Sequence, residues 1–274
     1  MINLNTSFKK MKESTHMIHA IVSPLASNDL ANVLLSLNQA PILAEYYKEV
    51  YEVTKNSHAL LINLGTLNQS KLMGIKEGLK SAKENNIPII LDPVGASATK
   101  VRLETSLYYL KNYPIKVLKG NYSEIYSIYH KKLTTSGVDA KNIAKEEIIK
   151  ICQNLSTMYN TIVVASGKED IISNGKETLL LKNGSPLLPK VTGTGCILGG
   201  IIAATYSFEE NLNAIALAIS ILNIGAELAI KDKGMATFKI SLLDEISLID
   251  SKIIKERIVY EKLWPKPIFS YKQR

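Results

Sequence analysis

Cysteine is scarce in this 274-residue chain, which carries only Cys152 and Cys196. Two cysteines provide neither the disulfide framework of a small secreted protein nor the paired ligands of a structural zinc site. The stretch from Met1 to His16 is polar and contains lysines, so it lacks the apolar segment of an ordinary secretory signal. We therefore expect a reducing compartment, the cytoplasm.

Charge of one sign is not concentrated anywhere in the sequence. The net charge is +8 and the pI about 9.2, yet the lysines are scattered along the chain. A nucleic-acid binder would be expected to carry a basic stripe with stacking aromatic residues, and neither is present in the sequence. We expect no nucleic-acid partner, and we interpret the lysines as a solvated surface that favours an anionic nucleotide.

Only one apolar run approaches the length of a membrane span, from Leu212 to Ile230. It carries Asn213, Ser220, Asn223 and Glu227, and such polar side chains are costly in lipid. The run predicts a buried helix and no membrane partner. With 46% hydrophobic residues the chain can bury one large core, so we expect a single domain over residues 1–274.

Short runs rich in β-branched residues alternate with amphipathic stretches from Ala59 onward, as in parallel strands joined by crossover helices. Asn174-Gly175 is a strong two-residue hairpin turn that divides the run from Ile171 to Leu181 into antiparallel strands. The fold class predicted is α/β, with a mostly parallel sheet flanked by helices on both faces. We predict strands at Ala59–Leu64, Ile87–Leu91, Ile115–Leu118 and Thr161–Ala165, and helices at Ser70–Glu84 and Lys145–Met158.

A glycine-containing loop precedes the small, apolar segment from Ile197 to Ala204. The loop reads Val191-Thr192-Gly193-Thr194-Gly195-Cys196. Unpaired backbone N–H groups at the start of a helix, with the positive end of the helix dipole behind them, form a site for a phosphoryl group. A plain turn is the alternative interpretation when such a motif stands alone.

Cys196 lies at the start of this predicted helix, where the helix dipole favours a thiolate. We therefore expect its thiol to lose its proton more easily than a free cysteine, and to orient or deprotonate an alcohol held at the loop. The simpler interpretation is that Cys196 is a small core residue. The neighbouring motifs favour the first interpretation.

Two acids follow strands of the predicted sheet. Asp92 comes directly after the strand that ends at Leu91, and Glu124 follows the next strand along the chain. Mg²⁺ prefers a few carboxylates together with phosphate oxygens, so both acids are candidate metal ligands near a triphosphate. Taken singly, each acid would more often be a turn or helix-cap residue.

Two more strand ends are polar or contain glycine, at Asn63-Leu64-Gly65-Thr66 and at Ser166-Gly167-Lys168. Any one such segment is ordinary punctuation between a strand and a helix. Four of them at the carboxyl edge of one parallel sheet predict a ligand crevice, because open α/β sheets bind their ligands there.

Several segments together resemble the hydroxyethylthiazole kinase family of the ribokinase-like superfamily, in content and in order. The resemblance extends from about His19 to about Leu243. It is specific at Cys196, because many ribokinase-like kinases carry aspartate at that position. The segments are Leu61-Ile62-Asn63-Leu64-Gly65-Thr66-Leu67, Leu91-Asp92-Pro93-Val94-Gly95-Ala96, Lys119-Gly120-Asn121-x-x-Glu124, Ser185-Pro186-Leu187-Leu188 and the loop ending at Cys196.

The resemblance implies ATP-dependent phosphorylation of the hydroxyl of 5-(2-hydroxyethyl)-4-methylthiazole, on the route to thiamine, with Mg²⁺ as cofactor. It also implies a homotrimer whose substrate pockets lie between subunits. By position it assigns the catalytic role to Cys196, substrate contacts to Leu43, Gly193, Ser23 and Gly65, nucleotide contacts to Lys119, Ser166, Thr192 and Gly195, and the metal to Asp92 and Glu124.

The sequence departs from the family pattern near the thiazole pocket. Val22-Ser23 stands where the family usually has Thr-Asn, and Leu43 stands where methionine is usual. Leucine keeps the volume of methionine, whereas losing an asparagine removes a hydrogen-bond partner that can set substrate choice. Three alternatives remain open from these residues: a kinase of another heterocyclic alcohol, a repair lyase of the same superfamily, and a copy that binds nucleotide or thiazole without turnover.

Overall fold

The strands form a single sheet in the computed structural model, which describes residues 4–134 and 143–263. Within these residues nine strands pair in the order β2-β1-β3-β4-β5-β6-β7-β8-β9. The first six run parallel, and the last three are antiparallel. The strands are β1 (Met17–Ile21), β2 (Ala40–Ile42), β3 (Ala59–Asn63), β4 (Ile89–Asp92), β5 (Ile115–Asn121), β6 (Ile162–Ser166), β7 (Asp170–Ser173), β8 (Thr178–Leu181) and β9 (Tyr260–Leu263).

Helices connect the parallel strands, and polar caps begin several of them. Asn68, Thr99, Asn211 and Asp250 each accept a hydrogen bond from a backbone N–H three residues on, which satisfies a donor that the first turn leaves free. The helices are α1 (Asn5–Glu13), α2 (Pro24–Ser36), α3 (Tyr47–Lys55), α4 (Gln69–Asn85), α5 (Lys100–Asn112), α6 (Tyr122–His130), α7 (Lys145–Tyr159), α8 (Thr194–Phe208), α9 (Leu212–Leu228), α10 (Met235–Leu248) and α11 (Ser251–Arg257).

Two hydrophobic clusters cover the two faces of the sheet. Ala59 and Leu61 of β3 point into one cluster, and Leu60 and Ile62 point into the other. This alternation follows from the two-residue period of a strand, and burial on both faces explains why the strand has no polar residue before Asn63. Helices α1, α2 and α8 to α11 contribute to the first cluster, and α3 to α7 to the second. The predicted α/β class is confirmed.

Helix α9 is buried along nearly its whole length, as the sequence predicts for the run from Leu212 to Ile230. None of the helices in the two described ranges is long and apolar enough to cross a membrane. Both cysteines are free, and Cys152 is fully buried within α7.

The predicted strand from Ile87 to Leu91 is wrong in its bounds. The strand begins at Ile89, after Pro88, and it includes Asp92 as its last residue. Proline cannot donate a hydrogen bond to a neighbouring strand, which explains the late start. The structure also contains elements before Ala59 that the sequence analysis does not predict, among them β1 and the edge strand β2. The single-domain prediction covers residues outside the described ranges and stays a prediction.

Candidate active site

A cavity of about 1240 Å³ opens along the carboxyl edge of the parallel strands. The last residues of β3, β4, β5 and β6 all line it, namely Asn63, Asp92, Asn121 and Ser166. Carboxyl ends of parallel strands meet at one edge of a sheet, so strands far apart in sequence deliver their terminal side chains to one place. The predicted crevice at four strand ends is confirmed.

The cavity has two ends with different linings. On the side of β1 and β3 its wall includes Ser23, Leu25 and Thr66, which offer hydroxyl and apolar groups. On the side of β6 to β8 its wall includes Lys168 and Lys182, which offer positive charge. The two ends therefore suit a small alcohol and an anionic nucleotide, respectively.

The glycine loop begins α8 and faces the cavity. Gly193 caps the helix with a φ of 95°, a left-handed conformation that glycine adopts without strain. A Cβ at this position would lie 3.1 Å from the Cβ of Ala26, so the close contact also requires glycine. The Thr194 hydroxyl donates to the carbonyls of Leu188 and Val191, which fixes the loop against the preceding turn. The first turn of α8 therefore lines the cavity, and the anion site at its N–H groups stays a prediction.

Four side chains from four elements meet at the centre of the cavity. Asp92 Oδ2 accepts hydrogen bonds from Asn63 Nδ2 at 2.8 Å and from Lys119 Nζ at 3.1 Å. Lys119 Nζ also donates to the Gly195 carbonyl at 3.0 Å, which ties the ion pair to the glycine loop. Asn63 Nδ2 donates to Cys196 Sγ at 3.2 Å. The thiol, a carboxylate and an ammonium group thus form one network beside the glycine loop.

Asp92 carries one oxygen without a partner. Its Oδ1 is buried and makes no hydrogen bond, whereas Oδ2 makes two. Burial raises the pKa of the Asp92 carboxyl, and the Lys119 ammonium opposes that rise. Burial acts to lower the pKa of Lys119 and is the largest single effect, but the charge and hydrogen bond of Asp92, together with the other negative groups around it, outweigh burial, so the net shift is upward. A further cation at Oδ1 would satisfy the free oxygen and stabilise the ionised carboxylate.

Glu124 lines the cavity and caps helix α6. Its Oε2 accepts from the N–H of Asn121 and its Oε1 from the N–H of Gly95, both at 2.8 Å, while the Asn121 side chain accepts from the Glu124 N–H. This is a capping box at the start of α6. Burial, followed by the Asp92 charge, raises the pKa of Glu124. Among the described residues no three His, Cys, Asp or Glu side chains cluster as metal ligands, so a metal here would depend on few carboxylates.

The expected acidity of Cys196 is wrong. Burial, with the Asp92 charge adding to it, raises the pKa of the thiol to about 11. Cys196 is the third residue of α8, so the helix dipole does act there, but the cost of a charge out of water is larger in this environment. The thiol is therefore neutral at neutral pH in this environment.

A family model, described as the hydroxyethylthiazole kinase family, matches residues 8–252. The chain belongs to the hydroxyethylthiazole kinase family. A hydroxyethylthiazole kinase of Finegoldia magna is 42% identical over 256 residues, which cover 93% of this chain and 95% of that protein. The solved structure of the hydroxyethylthiazole kinase protein from Pyrococcus horikoshii OT3 is 31% identical, with a TM-score of 0.87 over 95% of this chain and 98% of that one.

More distant kinases share the fold of this family member. The pyridoxal kinase of Staphylococcus aureus, solved with AMP-PCP and pyridoxal, superposes with a TM-score of 0.62 at 13% identity. That match covers 92% of this chain and 99% of the other. At this identity the likeness establishes the ribokinase-like fold alone.

Most of the residues that the sequence singles out in this kinase come together. Apart from Leu43, they all line the one cavity: Ser23, Gly65, Asp92, Lys119, Glu124, Ser166, Thr192, Gly193, Gly195 and Cys196. Leu43 does not line it. It directly follows the edge strand β2 and packs, partly buried, against the larger hydrophobic cluster. The roles assigned to these residues stay predictions.

Two cavity residues that the structure brings forward, Asn63 and Arg102, have no role assigned from the sequence. Asn63 joins Asp92 to Cys196, and its place at the end of a buried strand was a signal that could have identified it. Arg102 of α5 lines the cavity and donates to the Val94 carbonyl at 2.8 Å. No local pattern marks Arg102, because only the turn from β4 into α5 brings it there.

Proposed function

We propose that this protein transfers the γ-phosphoryl group of ATP to the hydroxyl of 5-(2-hydroxyethyl)-4-methylthiazole, in thiamine biosynthesis or salvage. The observation that carries the proposal is the position of the Cys196 thiol. It lies on the anion-binding loop, between a cavity end suited to an alcohol and an end suited to a nucleotide. Membership of the family and the relatives named hydroxyethylthiazole kinase agree with this chemistry.

Phosphoryl transfer requires an in-line attack and neutralisation of the charge on the transferred group. The N–H groups at the start of α8 and the Lys119 ammonium supply positive charge at that point. The alcohol oxygen bonds to the γ-phosphorus as the bond to the bridging oxygen of ADP breaks. The hydroxyl proton passes to the Cys196 sulfur, which acts as the general base in its thiolate form. Ser166 and Thr192 contribute polar contacts to the nucleotide, and Gly195 lets it approach the backbone.

The site fits Mg²⁺. Asp92 lines the cavity and its Oδ1 is an unsatisfied, buried carboxylate oxygen, the type of ligand that Mg²⁺ prefers. Asp92 would hold the ion, and Glu124, whose oxygens already accept two backbone hydrogen bonds, would act through water. When bound, Mg²⁺ would neutralise negative charge on the β- and γ-phosphates.

The alcohol occupies the end of the cavity formed by Ser23, Gly65 and Gly193. Leu43 contacts it across a subunit boundary in our proposal, because β2 is the edge strand and its end is available to another copy of the chain. We propose that the assembly is the homotrimer that the resemblance implies. A measured mass of three times 30.2 kDa in sedimentation would agree with it, and a monomer with full activity would contradict it. The free thiol at Cys196 suits the reducing cytoplasm.

The test is ADP release by the purified protein with ATP and Mg²⁺, with and without the thiazole alcohol. Turnover that depends on this alcohol, and that falls strongly in Cys196→Ala with unchanged ATP affinity, supports the proposal. Hydroxymethylpyrimidine and other small heterocyclic alcohols serve as competitors. Turnover with one of them alone would assign a different substrate, and ATP binding without any turnover would identify a degenerate binder.

A further inference from the structure

The loop between β3 and α4 lines the alcohol end of the cavity in a strained conformation. Thr66 has a φ of 52°, which is an outlier for a β-branched residue. Strain of this kind persists only where surrounding contacts fix the backbone, and it is concentrated at functional sites. The contacts that hold Gly65 and Thr66 therefore decide the shape of the alcohol site.

Three hydrogen bonds hold Gly65 and Thr66 in this loop. Asn63 Oδ1 accepts from the Gly65 N–H at 2.9 Å, and the Ser23 and Thr66 hydroxyls lie 2.8 Å apart. The third comes from outside the cavity wall, where Lys71 Nζ donates to the Gly65 carbonyl at 2.7 Å. Only this third contact is made by a charged group, and hydrogen bonds from charged donors are the stronger ones.

Lys71 is an unusual residue for its position. Its side chain is 1% exposed, although lysine is almost never fully buried. It also lies in the first turn of α4, where the positive end of the helix dipole disfavours a cation. Burial lowers the pKa of Lys71 to about 8, while the charges of Glu45 and Asp92 oppose that shift and Arg102 adds to it. Because burying a cation at this position costs free energy, we expect Lys71 to make a contact that an apolar residue could not make.

The hydrogen bond from Lys71 to the Gly65 carbonyl acts on Cys196 and Asp92 indirectly, through Asn63. Because Gly65 donates to Asn63 Oδ1, the amide of Asn63 is turned so that its Nδ2 faces Cys196 and Asp92. Fixing the Gly65 carbonyl therefore fixes the group that orients the thiol. We propose that Lys71 is a buried positioning residue for the alcohol acceptor, which holds the strained loop and, through Asn63, the Cys196 thiol. The inference rests on the proposed function.

The first test is kinetic, with Lys71→Met as the variant, because methionine fills most of the volume of lysine without a donor. We expect the KM for the thiazole alcohol to rise about tenfold, the size expected for one lost charge-assisted hydrogen bond, and the KM for ATP to stay within about twofold. Lys76→Met, an exposed lysine of the same helix, is the control and should match the unsubstituted protein. Equal alcohol KM values in Lys71→Met and the control would overturn the proposal.

The second test does not need turnover, so it separates this inference from the proposed function. Hydrogen exchange measured by mass spectrometry should show faster exchange of peptides containing Leu64 to Leu67 in Lys71→Met, with β3 unchanged. Unchanged exchange in this loop would contradict the proposal even if the protein used another alcohol. If Lys71→Met does not fold, Lys71→Gln, whose amide is too short for the same contact, should show the same loop exchange and the same KM pattern.

Discussion

Turnover by this kinase should rise steeply with pH, because Cys196 must lose its proton to act as a base. With a pKa of about 11, only about one thiol in a thousand is ionised at pH 8. As long as the pH is below the pKa, each increase of one pH unit raises the thiolate fraction about tenfold. We therefore expect kcat, measured with ATP and the thiazole alcohol both saturating, to rise about tenfold per unit between pH 7 and 9.

Two substitutions at Cys196 separate this explanation from general effects of pH. Cys196→Asp places a carboxylate at the same point, and a carboxylate is already ionised at pH 7, so activity should remain and its pH profile should be flat above pH 7. Cys196→Ala removes the base and should reduce turnover about a hundredfold or more at pH 9 while sparing nucleotide affinity.

The assay is continuous ADP release across the pH range, with ATP affinity measured at each pH. A flat profile in the unsubstituted protein, together with equal turnover in Cys196→Ala, would remove the thiol from the mechanism. A steep profile that persists in Cys196→Asp would assign the titration to another group. An inactive but folded Cys196→Asp variant would contradict the role of a carboxylate as a substitute base.

Three further predictions concern stability and binding. Lys119→Met should lower the free energy of unfolding by about 3–5 kcal/mol and weaken ATP binding, because it removes the cation paired with the buried Asp92 carboxylate. The control is Lys116→Met on the same strand, which breaks a half-exposed ion pair and should lower the free energy of unfolding by less than about 1 kcal/mol. Gly193→Ala should lower the Tm and the affinity for nucleotide, because its φ of 95° and its close neighbour exclude a Cβ, whereas Gly234→Ala should be neutral. His19 by itself should contribute a fall in unfolding free energy of up to about 3 kcal/mol from pH 6.5 to pH 4, because burial lowers its pKa to about 4.

The sign of the last effect follows from which state binds the proton first. Between pH 6.5 and 4 the unfolded chain protonates His19 while the folded chain keeps it neutral, so acid favours unfolding. Denaturant titrations at several pH values measure this, and His19→Gln should reduce the slope. An unchanged slope of unfolding free energy against pH in His19→Gln would contradict the prediction for His19. Equal stabilities of Lys119→Met and Lys116→Met, or of Gly193→Ala and Gly234→Ala, would contradict the predictions for Lys119 and Gly193.

Local patterns in the sequence were sufficient for the elements that carry the site. Buried parallel strands appear as runs of β-branched residues. Asn174-Gly175 lies in the turn between β7 and β8, but the predicted two-residue turn is wrong in length, because Ser173 pairs with Thr178 and four residues lie between them. The edge strands β2 and β9 are short, with three and four residues, and β2 contains Pro41. Edge strands are shaped by what lies beside them, so their sequences carry little signal of their own.

The electrostatics of the site could not be obtained in the same way. The sequence places Cys196 at a helix start, which by itself predicts an acidic thiol, but the pKa is raised by burial and by Asp92, which is 104 positions away in the chain. Lys71 lies in a polar stretch typical of a solvated helix start, yet the fold buries it under the Gly65 carbonyl. Both outcomes depend on which strand ends meet at one edge of the sheet, and a group's charge state is set by those neighbours and not by its own segment. The sequence motif therefore locates the chemistry, and the tertiary structure decides the protonation state in which it starts.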